Sequence, residues 1–501
     1  MCLSPSQLNR EPFTYSAIDL EGLEGPSFRL LRLHSGTIQT PIHCTLFDAY
    51  LNPELIIPYE ALSYTWGGTE KPNSVILNER SFDVTANLHS ALQHLRYENE
   101  ERILWIDAIC INQENLEERG HQVSHMGRIY KLAERVIVWL GPAAHMSDLI
   151  MDAMECLQRM SRGYACHNWN ARDPRWQDMW REVRPLDRSA ENLAVTSLLD
   201  RDWFKRVWII QEVAHARSVL IVCGTRSVSA RIFSLVLTGT EHVNSHCQAI
   251  LDIMPGPSKR DSWWGQNRDL RTLIQKFGNA HATDPRDRVY ALLGISSDAH
   301  DSDILRADYN LTMEDIHKRV VCFWLNIPAH EVTLLSLPPL DLSVISKFPE
   351  KILAEDIMHY SVWSGYTRML KALVEHSEVD VNSSYDRKRS WRAPKFLAPK
   401  GYDIPILWAA RNSAAMMKAL LDCRGIDQSV LTSPKRPASS KSPRRSRILQ
   451  PKNVASINSF STPPSFTSSR KRQLIDGEED QDGRPEDQKE NRVGFGRARL
   501  S

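Results

Sequence analysis

Two carboxylates stand in apolar runs, where an unpaired charge costs several kcal/mol, so each must be hydrogen-bonded, charge-paired or raised in pKa. Asp107 lies inside Ile103–Ile109 (ILWIDAI), and Glu212 follows Trp208 by four residues in RDWFKRVWIIQEV (201–213). For Asp107 a satisfied structural acid and a ligand contact both remain open readings. Glu212 at helical spacing borders an aromatic stripe, a setting suited to binding sugar hydroxyls or stabilising a developing cation; a solvated or Arg-paired Glu is the plainer alternative. Tyr64-Thr65-Trp66-Gly67-Gly68 and Cys110-Ile111-Asn112-Gln113 supply rings, amides and turn residues that could surround a ligand. Trp66, Trp105, Trp139 and Trp208 can each bury about 150–250 Å², and serve a core as readily as a stacking platform.

Other chemistries are absent from the sequence. There is no GxxxxGK[ST], no GxGxxG after a strand, no HExxH and no GxSxG, which removes P-loop ATPases, ordinary dehydrogenases, zinc proteases and standard α/β-hydrolases. His242, His246 and Cys247 lie close together, but with no second cluster at zinc spacing they read as a surface loop, and no metal or cofactor is expected.

The elements that must position these residues follow from periodicity. Phe28–Leu33 and Tyr59–Tyr64 are β-prone runs, a hairpin is expected around Asn78, and Thr85 can cap a helix with Leu88, Ala91, Leu92 and Leu95 on one stripe. Ile103–Ile109 reads as one strand buried on both faces, followed from about Glu117 by a helix with Val123, Met126, Tyr130 and Ala133 inward. Val136–Leu140 is the next strand, 145–160 and 190–199 are helical, Asp202 can cap a helix over Trp203–Ala214, and Val219–Cys223 is a further strand. Such an order gives an α/β fold with a mainly parallel sheet flanked by helices, and ligands sit beyond the carboxyl ends of its strands, where Trp66 and Asn112 fall.

Residues 1–55 read as an N-terminal extension, 56–224 as the α/β domain and 225–350 as a helical region in which Leu270–Phe277 and Val289–Leu293 flank the charged loop 283–288. His359–Asp380 and Ile406–Asp427 align at an offset of 47 residues, pairing Met369 with Met416 and Lys371-Ala372-Leu373 with Lys418-Ala419-Leu420. Two helical hairpins within 356–428 are implied; they resemble divergent ankyrin repeats separated by a basic loop at 386–400. Two such units are fewer than a free-standing stack needs, so they either pack on the preceding helices or belong to a partner-completed or eroded array.

The charge balance, 62 Lys plus Arg against 61 Asp plus Glu, hides a segregation. Residues 429–501 carry 15 basic and 8 acidic side chains, +7, which leaves 47 and 53, or −6, for residues 1–428. That Ser-, Lys- and Arg-rich tail has none of the 14 Trp, cannot offset its ordering entropy and reads as disordered. Its basic clusters, Lys435-Arg436, Arg444-Arg445 and Arg470-Lys471-Arg472, suit a nuclear address as well as a solvated tail, and Ser433-Pro434 and Ser442-Pro443 look like phosphorylation sites that would weaken it. The acidic body argues against nucleic-acid coating. With no secretory leader, no 18-residue uncharged run and nine scattered Cys, the chain is expected to be soluble, reduced and cytoplasmic, with no membrane partner.

YEALSYTWGG (59–68), ILWIDAICINQENLEERGHQVSHMGRIYKLAERVIVWLGP (103–142) and RDWFKRVWIIQEV (201–213) resemble the three signature blocks of the fungal heterokaryon incompatibility (HET) domain, and ATDPRDRVYALLGI (282–295) resembles the segment that follows it. The resemblance implies a Toll/interleukin-receptor-like (TIR-like, flavodoxin-like) domain whose activation triggers growth arrest or cell death when incompatible fungal cells fuse. It implies as partners other HET or TIR-like proteins or receptor-type signalling proteins, with self-association. In TIR relatives that hydrolyse NAD, the catalytic Glu lies in a block similar to WCxxEL, which Trp208–Val213 resembles without the Cys. By that analogy Glu212 would be catalytic, with NAD as substrate; Tyr64 or Trp66 would stack a ring beside Gly67 and Trp208, and Asp107, Asn112 and Gln113 would orient ribose or phosphates. A non-enzymatic oligomerising interaction module and a nuclear regulator are the competing expectations.

Overall fold

In this computed structural model the described residues are 9–20, 25–383 and 405–429, apart from 145, 167, 186, 239, 241–242, 334, 338–340, 424 and 428. The tail beyond Ser429, the basic loop 386–400 and His242 lie outside them.

Ten strands form one sheet among these residues: β1 (Asn9–Pro12), β2 (Ser27–Leu33), β3 (His43–Tyr50), β4 (Glu60–Ser63), β5 (Asn73–Leu77), β6 (Arg80–Val84), β7 (Arg102–Trp105), β8 (Arg135–Trp139), β9 (Val219–Cys223) and β10 (Arg226–Ser229). Their order is β1-β6-β5-β3-β2-β7-β4-β8-β9-β10. The parallel centre is β7-β4-β8-β9, whose Ala61, Leu104, Val136, Ile137, Val138 and Ile221 are fully buried, as strands covered on both faces require.

The expectation of a mainly parallel sheet needs correction, because the sheet is mixed. β2 runs antiparallel to both β3 and β7, β5 to β6 and β9 to β10. Short connections dictate the β2–β3, β5–β6 and β9–β10 pairings, since strands joined by a hairpin run antiparallel. Asn78 (φ 48°) and Glu79 (φ 64°) form the turn expected between β5 and β6, with the positive φ at both central residues that matches strand twist. Residues 27–50, expected to precede the domain, supply two strands of the same sheet, β2 lying directly beside β7.

Helices α1 (Ala86–Leu95), α2 (Asp107–Cys110), α3 (Leu116–Leu132), α4 (Ser147–Ser161), α5 (Pro174–Val183), α6 (Arg188–Leu199) and α7 (Ile209–His215) accompany the sheet. Thr85 caps α1 as expected, its hydroxyl accepting from Leu88 N (3.3 Å) above the buried Leu88, Ala91, Leu92 and Leu95. Asn115 caps α3 by accepting from Glu117 N and Glu118 N, and Met126 and Tyr130 are buried.

Two elements differ from expectation at the places that matter for chemistry. The strand expected over 103–109 stops at Trp105, and Asp107 opens the single turn α2 because its Oδ1 accepts from the N–H of Ala108 (2.7 Å), a local bond that competes with the ladder. The helix expected over 203–214 is broken. Asp202–Lys205 is a 3₁₀ turn in which the Asp202 carboxylate pairs with Lys205 (2.7 Å) and caps nothing, and Arg206 is extended before α7 begins. The break has a long-range cause: Val207 N donates to His281 O (2.9 Å) and His281 N to Lys205 O (2.6 Å), a β-bridge that a helix could not make.

After β10 the described chain is helical, including Leu270–Phe277 and Asp287–Leu293, with Asp284 and Arg286 paired locally (2.6 Å). Glu350–Ser364 with Thr367–His376, and Pro405–Asn412 with Ala414–Leu421, form the two expected helical hairpins, packed on one another. The Asn382 amide donates to Gly425 O and accepts from Asp427 N, both at 2.8 Å. The first hairpin rests on the preceding helices, Ser377 Oγ donating to Leu325 O (2.9 Å). Among the described residues no helix is long and apolar enough to cross a membrane.

Candidate functional site

The carboxyl ends of β4 and β7 lie side by side because the strands pair in parallel, Ala61 opposite Trp105. Residues just past these ends, Tyr64 to Gly67 and Asp107, therefore converge. Trp66 Nε1 donates to Asp107 Oδ2 (2.9 Å), and the Tyr64 hydroxyl also bonds Asp107. Burial raises the Asp107 pKa, opposed by the Arg206 guanidinium and by the bonds from Trp66, Ala108 and Tyr64. The Tyr64 phenol is pushed far up, by burial first and then by the Asp107 charge, so it stays a proton donor.

Glu212 reaches the same cluster from α7. Only 2% of its surface is exposed, and Oε2 has no hydrogen-bond partner. The Ser63 hydroxyl bonds the Glu212 carboxyl and itself accepts from Trp203 Nε1 (2.7 Å). Burial lifts the Glu212 pKa to about 7; Arg206 and Ser63 pull it down, and Asp107 adds a smaller upward push. Arg206 donates to the carbonyl of Tyr64, which fixes its guanidinium at the end of β4. The result is two acids coupled across one arginine, a cluster that can hold one proton between them near neutrality.

Of the eight residues singled out from the sequence, the structure brings Tyr64, Trp66, Asp107 and Glu212 together. Gly67, at φ +77°, turns the chain past Trp66, and a Cβ there would lie 3.2 Å from that of Asn87. Gln113 supports the cluster from behind, its amide donating to Asp107 O (2.9 Å). Asn112 is occupied within its own loop: its N–H donates to Glu118 Oε1 (2.8 Å) and its Oδ1 accepts from Glu114 N (3.2 Å). The Trp208 indole N–H is directed to Asp287 Oδ2 (3.1 Å). The residues missed from sequence are Ser63, Arg206, Trp203 and Asn87, whose amide donates to Thr65 O (2.6 Å) while its Oδ1 accepts from Trp139 Nε1 (3.0 Å). Ser63, as the last residue of β4, and Arg206 and Trp203, within the block that carries Glu212, offered a signal in sequence; Asn87 offered none. Among the described residues no group of three or more His, Cys, Asp or Glu could hold a metal ion, and His246 instead bonds Phe204 O (2.9 Å).

A cavity of about 380 Å³ lies behind the Asp107 loop, lined by Tyr15, Arg29, Asp48, Asn78 and Arg80 among others. Tyr15 OH donates to Ile109 O (2.9 Å), and the buried Arg29 makes a bidentate pair with Glu118 (2.5 and 3.1 Å). The ion pair therefore ties β2 to the helix that ends the loop.

The cluster draws on all three sequence blocks between Tyr59 and Glu212: Tyr64 and Trp66 from the first, Asp107 from the second, Arg206 and Glu212 from the third. Residues 59–212 match the family model for the heterokaryon incompatibility protein (HET). The matched segment begins at the buried Tyr59, one residue before β4, and ends at Glu212. Over 353 residues the chain is 29% identical to Heterokaryon incompatibility protein 6, OR allele, of Neurospora crassa, an alignment covering 59% of this chain and 51% of that relative. The chain thus spans about half the length of the curated relative it matches. No solved structure matches it.

Proposed function

We propose that this protein is a heterokaryon-incompatibility signalling protein that promotes growth arrest or cell death in fungal non-self recognition, and that the Asp107–Arg206–Glu212 cluster is its effector centre. The HET-segment match and the incompatibility-protein relative support the biological role. The parallel order β7-β4-β8-β9, with acids at the strand ends, supports a TIR-like reading of the domain.

The observation that carries a chemical role is Glu212: a buried carboxyl with an unpartnered oxygen, held by Ser63 and coupled to Asp107 beside the partly exposed Trp66. Such a group suits hydrolysis of the nicotinamide–ribose bond of NAD. The leaving group departs as neutral nicotinamide with the bonding pair, so no general acid is required. Water adds to the ribose carbon and releases one proton, and a carboxylate facing the oxocarbenium-like transition state stabilises its charge. In this reading ionised Glu212 faces the ribose, Trp66 offers a ring face and Asp107 orients hydroxyls. Full-length protein incubated with NAD, wild type beside Glu212→Gln, tests it: nicotinamide release by the wild type and at least a hundredfold less (~3 kcal/mol of transition-state stabilisation) by the variant is expected. Equal release, or none from either, removes the enzymatic reading.

One observation favours a second reading. Because Glu212 is enclosed, the cluster also suits a non-enzymatic switch in a self-associating module that recruits receptor-type or other HET proteins. Assembly detected by light scattering without NAD turnover supports that reading.

A further inference from the structure

The matched segment stops at Glu212, yet most of the side-chain hydrogen bonds that reach α7, which packs on α3, come from residues beyond that point. Just before α7, Val207 N donates to His281 O (2.9 Å). Gln211 Nε2 donates to Ala291 O (2.8 Å), and Gly294 closes against the same amide, where a Cβ would sit 3.3 Å from Nε2. At the far end Lys259 Nζ donates to Ala214 O (2.7 Å). The remaining tie is between side chains: Trp208 Nε1 donates to Asp287 Oδ2 (3.1 Å), while Tyr309 OH donates to Asp287 Oδ1 (2.7 Å).

Glu212 has Trp208 four residues before it and Gln211 immediately before it. Both are tied to the helix Asp287–Leu293, and Glu212 itself is tied to Ser63 at the end of β4. Where it packs on α3, α7 is therefore gripped by hydrogen bonds from two further sides, and its rotation decides which way the carboxyl points. At seven residues it is too short to hold that rotation alone. Asp287 is buried and accepts one donor on each oxygen, Trp208 on Oδ2 and Tyr309 on Oδ1.

We propose that Asp287 is a positioning residue of this site: by holding the Trp208 indole it sets the rotation of α7 and so the direction of the Glu212 carboxyl. This rests on the reading of Glu212 as the working group, and it makes the functional unit the HET segment together with residues 259–294. An Asn at 287 keeps the size but replaces one acceptor oxygen with a donor and removes the charge, so it cannot hold Trp208 and Tyr309 as the carboxylate does.

The test reads Glu212 directly and needs no turnover. The infrared carboxyl band of protonated Glu212, identified by its loss in Glu212→Gln, is titrated in full-length wild type, Asp287→Asn, Trp208→Phe and Tyr309→Phe. Asp287→Asn and Trp208→Phe are expected to move the midpoint or the band together, by about half a pH unit or more. Tyr309→Phe, which removes a bond of the same carboxylate without touching Trp208, is expected to leave it in place. The proposal is overturned if Asp287→Asn and Trp208→Phe titrate like the wild type, or if Tyr309→Phe shifts Glu212 as much as they do. Absent NAD turnover alongside a shifted band would fail the proposed reaction and leave the positioning role standing.

Discussion

Replacing Glu212 by Gln should make the protein more stable at alkaline pH, against the usual expectation for loss of a buried polar contact. Burial lifts the Glu212 pKa to about 7, whereas an unfolded Glu titrates near 4.5. Between those values the folded state holds a proton that the unfolded state has released, so stability falls as pH rises. The contribution is complete below about pH 4.5 and is lost as pH passes 7; between pH 5 and pH 8 the loss amounts to about 2.5 kcal/mol. Gln has the shape of the protonated acid, can still accept from Ser63 and does not titrate. Asp107 and Asp287, both raised by burial, and His215, lowered by it, are present in both proteins, so their contributions largely cancel in the difference. Urea unfolding at pH 5, 6, 7 and 8 should therefore show the Gln variant gaining about 2.5 kcal/mol on the wild type across the series. A difference independent of pH would refute the buried, proton-holding Glu212, and a wild type that gains on the variant as pH rises would mean that Arg206 keeps it ionised throughout.

Glu118→Ala leaves the buried Arg29 with the exposed Asp48 (3.7 Å) as its remaining carboxylate and frees Asn112 N, and should lower unfolding stability in urea by about 2–4 kcal/mol. Trp66→Phe keeps a ring but removes the N–H donated to Asp107, so the Asp107 pKa should rise further, read as a carboxyl band persisting to higher pH in the variant. Gly67→Ala, at φ +77° and 3.2 Å from Asn87, should cost about 1–2 kcal/mol in the same unfolding assay. If the NAD reaction holds, its rate should rise with pH through about 7 as Glu212 ionises, and a flat profile would exclude Glu212 as the working carboxylate.

What the sequence shows reliably is what neighbours in the chain decide. Thr85 and the Leu88–Leu95 stripe specify α1 within one stretch, and Asn78 specifies the β5–β6 turn, because caps and turns are local bonds. The mixed sheet was hidden because β2 and β3 insert beside β7, a pairing that no local pattern encodes. The break at Arg206 was hidden for the same reason: apolar spacing over 203–214 suits a helix, and only the bridge to His281 interrupts it. Asp107 and Glu212 were visible as charges in apolar runs, which is an energetic anomaly wherever it occurs. In sequence Trp208 looks like an aromatic edge of the site because its partner Asp287 lies in a later segment, and Asn112 looks free for a ligand because an amide closing its own turn carries no sequence mark.

The most direct test of the account is induced expression in a fungal host of the wild type, Glu212→Gln and Asp287→Asn, at protein levels matched by immunoblot. Because Glu212→Gln is expected to fold at least as stably as the wild type, its phenotype reports function. The account predicts growth arrest by the wild type, loss of arrest with Glu212→Gln and weakened arrest with Asp287→Asn. Arrest of equal strength by all three proteins would contradict it.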